Sequence, residues 1–184
     1  MLAPIDVSAI RIETPRLIIR PWREADLQDF YEYAKVDGVG QMAGWAPHPS
    51  IEKSKEILER FLSENKTFAL ELKESGKVIG SLGLEDRRDA IPLPNTLQGR
   101  EIGYVLSKAY WGLGLMPEAV KAVMGYCFHK LSYDYLTCGH FERNYQSQRV
   151  IEKCGFTYVD TIEYRTRIGT QESTRMYICY NPYK

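Results

Sequence analysis

The sequence predicts a mixed α+β fold: a twisted, mixed β-sheet flanked by helices. Three observations predict it. Segments with strand-type alternation outnumber those with helical spacing, strands follow one another both directly and across helices, and no apolar run approaches the roughly 20 residues of a membrane span.

Each element has its own justification. RLIIRPW (16–22) reads as a strand stopped by Pro21, and ADLQDFYEYAKV (25–36) sets Leu27, Phe30, Tyr31 and Ala34 at helical spacing. DGVGQMAGWAPHPS (37–50) is a glycine- and proline-rich loop, with Ser50 positioned to cap a second helix running to Glu64. TFALELK (67–73) and KVIGSLGLE (77–85) alternate as strands around a turn at Ser75–Gly76, and DRRDAIPLPNTLQG (86–99) is a long polar loop of the kind that often carries function. EIGYVLS (101–107) is a strand. After it, Val120, Val123, Met124, Cys127, Phe128 and Leu131 mark one face of a helix whose first turn holds Pro117 and Glu118, both start signals. DYLTCGHF (134–141) is a strand, NYQSQRVIEKC (144–154) a helix ended by Gly155, and FTYVDTIEYRTRI with STRMYICY a closing hairpin around Gly169.

Composition bounds the function. The 184 residues, 44% hydrophobic and 26% charged, suit one globular domain over 1–184. Lys+Arg and Asp+Glu balance at 24 each, which argues against a nucleic-acid partner, and no membrane partner is expected either. Cys127, Cys138, Cys154 and Cys179 form no C-x-x-C pair and have no histidines at ligand spacing. They read as reduced thiols, so neither a metal nor a disulfide is expected. The first residues lack the apolar core of a signal peptide, and cytoplasmic localisation is the expectation.

WGLGLMPEA (111–119) puts two glycines between a strand and a long helix. Glycines admit close backbone approach, and the unpaired N–H groups of a helix start attract anions. A plain strand-to-helix turn is the alternative. The spacing is neither a Walker loop nor a dinucleotide G-x-G-x-x-G.

The wider pattern EIGYVL…YWGLGLMPEAVKAV…CGHFERNYQSQRVIEKCGF resembles the GCN5-related N-acetyltransferase (GNAT) superfamily, within it the RimJ/RimL-type enzymes, from ETPRLIIRPW (13–22) to RMYICY (175–180). The resemblance implies acetyl-CoA as co-substrate and an amine as acceptor: a peptide or protein N-terminal α-amine, or alternatively a polyamine, aminoglycoside or amino acid. A catalytically weak acyl-CoA-binding module is the rival outside enzymology. A homodimer is a further partner the resemblance allows. Carried over residue by residue, it assigns Trp111, Gly112, Leu113, Gly114, Leu115, Met116 and Pro117 to the pyrophosphate loop, though Pro117 has no N–H. It makes Val105 and Leu106 the strand end that pairs with pantetheine, with an N–H near Leu106 polarising the acyl carbonyl. Trp111 and Met116 depart from the superfamily's general loop pattern, and Met116 stands where a small residue is usual, so it is expected to crowd the phosphate.

The same resemblance implies the chemistry. Glu163 matches the acidic position proposed as base in Rim-type enzymes, while Glu101 stands where other branches place one. The bland reading pairs either with Arg100, Arg165 or Arg167. Ile151 replaces the tyrosine that many relatives use as acid, and Ser147 is the expected hydrogen-bond donor to the departing sulfur. Asn144 reads both as a helix N-cap and as a pantetheine ligand. His48, His129 and His140 read as packing or surface residues, and Met42, Trp45 and Tyr31 as candidate acceptor-pocket walls.

Overall fold

In chain order the elements are β1 (Ile12–Glu13), β2 (Leu17–Pro21), α1 (Leu27–Ala34), α2 (Ile51–Glu64), β3 (Thr67–Leu72), β4 (Val78–Glu85), β5 (Gly99–Leu106), α3 (Leu115–His129), β6 (Tyr135–Phe141), α4 (Tyr145–Lys153), β7 (Thr157–Arg165) and β8 (Gln171–Tyr180). The computed structural model describes residues 4–86 and 91–184, so part of the polar loop expected over 86–99 lies outside the described residues. The other expected helices and strands form within a few residues of their sequence bounds. Not expected were the short β1 and the 3-10 turns at Glu24–Asp26, Gly40–Ala43 and Lys108–Tyr110. Pro21 ends β2 from inside, paired with Phe68.

The eight strands form one sheet in the order β1-β2-β3-β4-β5-β6-β8-β7. Among the described residues only β5 and β6 pair in parallel, and β8 inserts between β6 and β7. Apolar alternation along the strands gives the sheet two greasy faces. One packs against α3 and α4 through Leu82, Ile102, Val123, Leu136 and Ile151. The other packs against α1 and α2 through Trp22, Phe30, Leu58 and Ala69. Each fully buried aliphatic or aromatic side chain contributes about 1.5–3 kcal/mol. Buried Arg20 on β2 is matched by carboxylates, with Asp26 taking both terminal nitrogens at 2.8 Å and Glu71 taking Nε at 2.5 Å. That network fixes the entry to α1, since losing either partner would leave a buried charge uncompensated.

What positions the site is a break in pairing. The parallel register runs from Gly99↔Tyr135 to Ile102↔Cys138 and stops. Beyond it β5 stays on β4 to Leu106↔Gly80, and β6 stays on β8 to Phe141↔Thr174. Each strand follows its antiparallel partner, and the sheet opens between them.

Candidate active site

The parting of β5 from β6 opens a cleft of about 480 Å³. Successive peptide groups of a strand point to opposite edges. Ser107 donates its N–H to the Ile79 carbonyl on the β4 side at 2.8 Å, so the N–H of Leu106 points the other way, into the gap. Trp111 Nε1 donates to the Leu106 carbonyl at 2.8 Å and leaves that N–H available. The same alternation turns the peptide groups of Val105 toward Ser81 on β4. Of the two strand-end residues expected to pair with pantetheine, Leu106 presents its backbone to the gap. Val105 also lines the cleft, and its side chain packs toward α1 and α2.

At one end of the cleft, α3 starts on Gly114 at φ +76, and Gly112 before it stands at φ +79. The left-handed region costs a residue with a Cβ about 1–2 kcal/mol, which is why glycines sit there. The N–H groups of Leu115 and Met116 have no carbonyl one turn back, Pro117 has no N–H, and Glu118 returns to the Gly114 carbonyl at 3.3 Å. With the helix dipole behind them, these groups suit an anion. The helix start is braced from outside. Glu118 accepts from Arg16 Nε at 2.7 Å, the Arg16 N–H at 2.9 Å and Thr14 Oγ1 at 2.6 Å, while Arg16 Nη1 donates to the Leu113 carbonyl at 2.8 Å. These partners hold the Glu118 carboxyl below its usual range despite partial burial. Sequence reading missed Arg16 and Thr14, whose only signal was polarity at the lip of a strand.

Trp111, Gly112, Gly114, Leu115, Met116 and Pro117 line the cleft, whereas Leu113 is exposed beside it. Met116, expected to crowd the phosphate, is 4% exposed and belongs to the core under α3 while also lining the cleft. Arg149 and Lys153, one turn apart on α4, also line the cleft and were not anticipated. Their charges suit phosphate.

Asn144 caps α4 as read. Its Oδ1 accepts the Ser147 N–H at 3.1 Å, and its Nδ2 donates to the Met42 carbonyl at 3.3 Å, tying the 40–44 loop to the helix. Ser147 is buried in the cleft wall, and its Oγ lies 2.8 Å from the Tyr104 hydroxyl. Burial pushes the Tyr104 phenol well above the usual tyrosine range. Tyr104 also escaped the sequence reading, because it looks like one more large residue in an apolar strand. Ile151 is sealed in the core.

The carboxylates separate by position. Glu101 is 5% exposed and lines the cleft, on the β5 face it shares with Val105. Its neighbour Arg100 points to the opposite face, where it pairs with Asp86, so these adjacent residues do not pair with each other. Glu163 is exposed on the edge strand β7, and it alternates with Tyr164, which does line the cleft. The expected base therefore sits on the face of β7 turned away from the acceptor wall, a consequence of the period-two pleat. Met42 lines the cleft as expected. Trp45 packs into the α1–α2 cluster and Tyr31 lies under Lys35, so neither reaches it.

The histidines are engaged. His140 Nδ1 lies 2.8 Å from the Phe141 carbonyl and so carries the proton, leaving Nε2 to accept from the Tyr177 hydroxyl at 3.1 Å. His48 Nδ1 is 2.7 Å from Ser54 Oγ, and His129 packs on Tyr183. Burial raises the Cys127 thiol to about 12 and Cys154 to about 11, which disfavours a covalent acyl carrier there. Among the described residues no group of three or more His, Cys, Asp or Glu side chains could hold a metal ion, and no helix is long and apolar enough to cross a membrane.

Comparison with known proteins bears on this geometry. Residues 16–157 match the family model described as an acetyltransferase (GNAT) domain. The chain is 32% identical over 134 residues to the probable N-acetyltransferase YjcK of Bacillus subtilis (strain 168), spanning 72% of this chain and 70% of that protein. The structure of ribosomal-protein-S5-alanine acetyltransferase from Vibrio fischeri aligns with TM-score 0.71 at 20% identity, over 94% of this chain and 97% of that one. Spermidine N-acetyltransferase from Vibrio cholerae, solved in complex with CoA and spermine, aligns with TM-score 0.72 at 16% identity, over 91% and 97%. At those identities the structural likeness speaks for the fold alone.

Proposed function

The chain belongs to the GNAT family of acetyl-CoA-dependent acetyltransferases, and from that premise we propose that it acts, as one domain over residues 1–184, on the α-amine of a peptide or protein N-terminus. Acetyl-CoA supplies a thioester, whose carbonyl carbon takes the amine nitrogen as the C–S bond breaks and coenzyme A departs as thiolate. The chain's residues supply the rest. The helix start at Gly114–Met116, with Arg149 and Lys153, offers N–H groups and cations for the pyrophosphate. The Leu106 N–H faces the gap, where it can stabilise charge developing on the acyl oxygen. Glu101, buried in the cleft wall where Glu163 is exposed, is the base in this reading and takes the amine proton directly or through water, a contribution of about 10²–10⁴ in rate. Ser147 offers a hydroxyl to the sulfur.

One observation carries the choice of acceptor. On the α1–α2 side the cleft is walled by Val39, Met42, Ala43, Phe141 and Tyr164, and Glu101 is the one Asp or Glu lining it among the described residues. A polycation would want clustered acids. A chain terminus brings a single cation beside apolar side chains and backbone, which this wall suits. Deprotonation favours it too. An α-amine with pKa near 8 costs about 1–1.5 kcal/mol to neutralise at pH 7, against roughly 4–5 kcal/mol for a lysine near 10.4.

The test is a panel of free N-terminal peptides, N-terminally blocked lysine peptides, polyamines, aminoglycosides and amino acids, read by thiol release and product mass. Peptide α-amines should give the highest kcat/KM. Preference for spermidine would overturn the acceptor assignment, and thioester binding without turnover on any amine would leave a binding module.

A further inference from the structure

Strand β5 brings to the cleft a tyrosine that the chemistry above leaves unused. Tyr104 is on the β5 face turned toward α3 and α4, in step with Ile102 and Leu106. Its hydroxyl stands 2.8 Å from Ser147 Oγ and 3.2 Å from the Ser147 carbonyl oxygen. A phenol has one proton to give; the Cys138 thiol also lies beside it, but sulfur is a weak acceptor, so two arrangements compete. If Tyr104 donates to the carbonyl, the serine spends its own proton on the phenol oxygen. If Tyr104 donates to Oγ, the serine proton is free for a third group.

Geometry favours the second. An O–H···O bond has its mode near 2.7–2.8 Å, and 3.2 Å lies beyond the usual range of about 2.5–3.0 Å. The Ser147 carbonyl also has the N–H of Ile151 as its helical partner one turn on. We propose that Tyr104 is a positioning residue, which donates to Ser147 Oγ and so holds the serine proton toward the departing sulfur. The inference rests on the Ser147 reading above and adds the device that orients the hydroxyl.

The serine is constrained from two further directions. Its N–H is held by Asn144 Oδ1 at 3.1 Å, and the same Asn144 is anchored by Nδ2 to Met42. The backbone is thereby held, and the contact between the phenol and Oγ fixes the hydroxyl's two remaining rotations, about Cα–Cβ and Cβ–Oγ. Tyr104 orients rather than ionises: burial disfavours a phenolate, so no proton need leave either hydroxyl, and the sulfur receives a hydrogen bond only.

The experiment compares wild type, Tyr104→Phe, Ser147→Ala and the double variant in two readouts. The first is kcat and KM with the best acceptor from the panel. Tyr104→Phe should lower kcat about 2- to 12-fold, as for one neutral hydrogen bond, with KM for acetyl-CoA unchanged. Ser147→Ala should lower it about 10- to 150-fold, as for a bond to a charged group. The double variant should match Ser147→Ala alone. The second readout needs no acceptor: the thiol of bound coenzyme A is titrated by its thiolate ultraviolet absorbance. That thiol should ionise at lower pH in wild type than in free coenzyme A, and the shift should shrink in both single variants, while desulfo-coenzyme A binds all of them equally. Losses that multiply in the double variant would overturn the positioning role, as would a wild-type Tyr104→Phe beside an impaired Ser147→Ala. A Ser147→Ala protein with wild-type kcat and thiol titration would instead remove the Ser147 reading itself. The wild-type titration stands even should Tyr104→Phe not fold, and an unshifted thiol there would overturn both.

Discussion

A hydroxyl and a carboxylate meet the cleft from opposite faces of one strand: Tyr104 reaches Ser147 on the α3–α4 side, and Glu101 faces the α1–α2 side. In the function proposed above, that separation puts the departing sulfur on one face and the entering amine on the other. Glu101→Gln should lower kcat/KM far more at pH 7 than at pH 9, where a larger share of the amine is already neutral. Steady-state profiles over that range check it, and equal loss at both pH values would mark Glu101 as a binding or folding residue. Glu163→Gln should leave the profile close to wild type. Sequence alone could nominate both glutamates, since each stands on a strand near the expected centre. It could not say which way each pointed, because that depends on which neighbours the pleat turns toward the gap.

At the scale of elements, α3 is the part on which the proposed cofactor binding depends. A Cβ built on Gly114 meets nothing closer than Arg16 Nη2 at 3.6 Å, so the difficulty with a larger residue is conformational, not steric. Gly114→Ala should therefore cost about 1–2 kcal/mol through its φ of +76. Part of that should appear as weaker coenzyme A binding, because relaxing the backbone tilts the first-turn N–H groups away from their target. Calorimetric titration checks it; a folded variant with unchanged affinity would remove the anion role of the loop. Arg16→Met should also weaken binding without a comparable loss in melting temperature, since the guanidinium is half-exposed and its reach to the Leu113 carbonyl is local. The glycines were legible in sequence because positive φ leaves a compositional trace. The Arg16–Glu118 brace was not, because it joins residues 102 positions apart.

For the whole molecule, buried histidines predict how stability follows pH. Burial lowers both His48 and His140 below the ordinary value of 6.5; around His48, Lys53 adds to the shift and Glu56 opposes it, and around His140, Arg175 adds while the bond to the Phe141 carbonyl opposes. The unfolded chain takes up these protons near pH 6.5 and the folded chain only at lower pH. The stabilisation from neutral rings is thus complete above about 6.5 and is lost as pH falls. Melting temperature should drop between pH 7 and 5, before the carboxylates held below their usual range, such as Glu118 and Glu172, begin to count. His48→Asn should flatten part of that slope. A curve unchanged by this substitution would show that His48 titrates normally.

The chain's periodicities determined its helices and strands and its mixed α+β class, and the motifs around the glycine loop carried the family resemblance, because each of these is written in residues near one another. Only the tertiary structure decided that β8 inserts between β6 and β7, that β5 and β6 part after Ile102↔Cys138, and that Tyr104 finds Ser147 across 43 residues. A period of two tells which residues share a face but not which strand lies alongside or where pairing stops. Those are set by long-range register, and the cleft exists because two strands each keep an antiparallel partner and release one another.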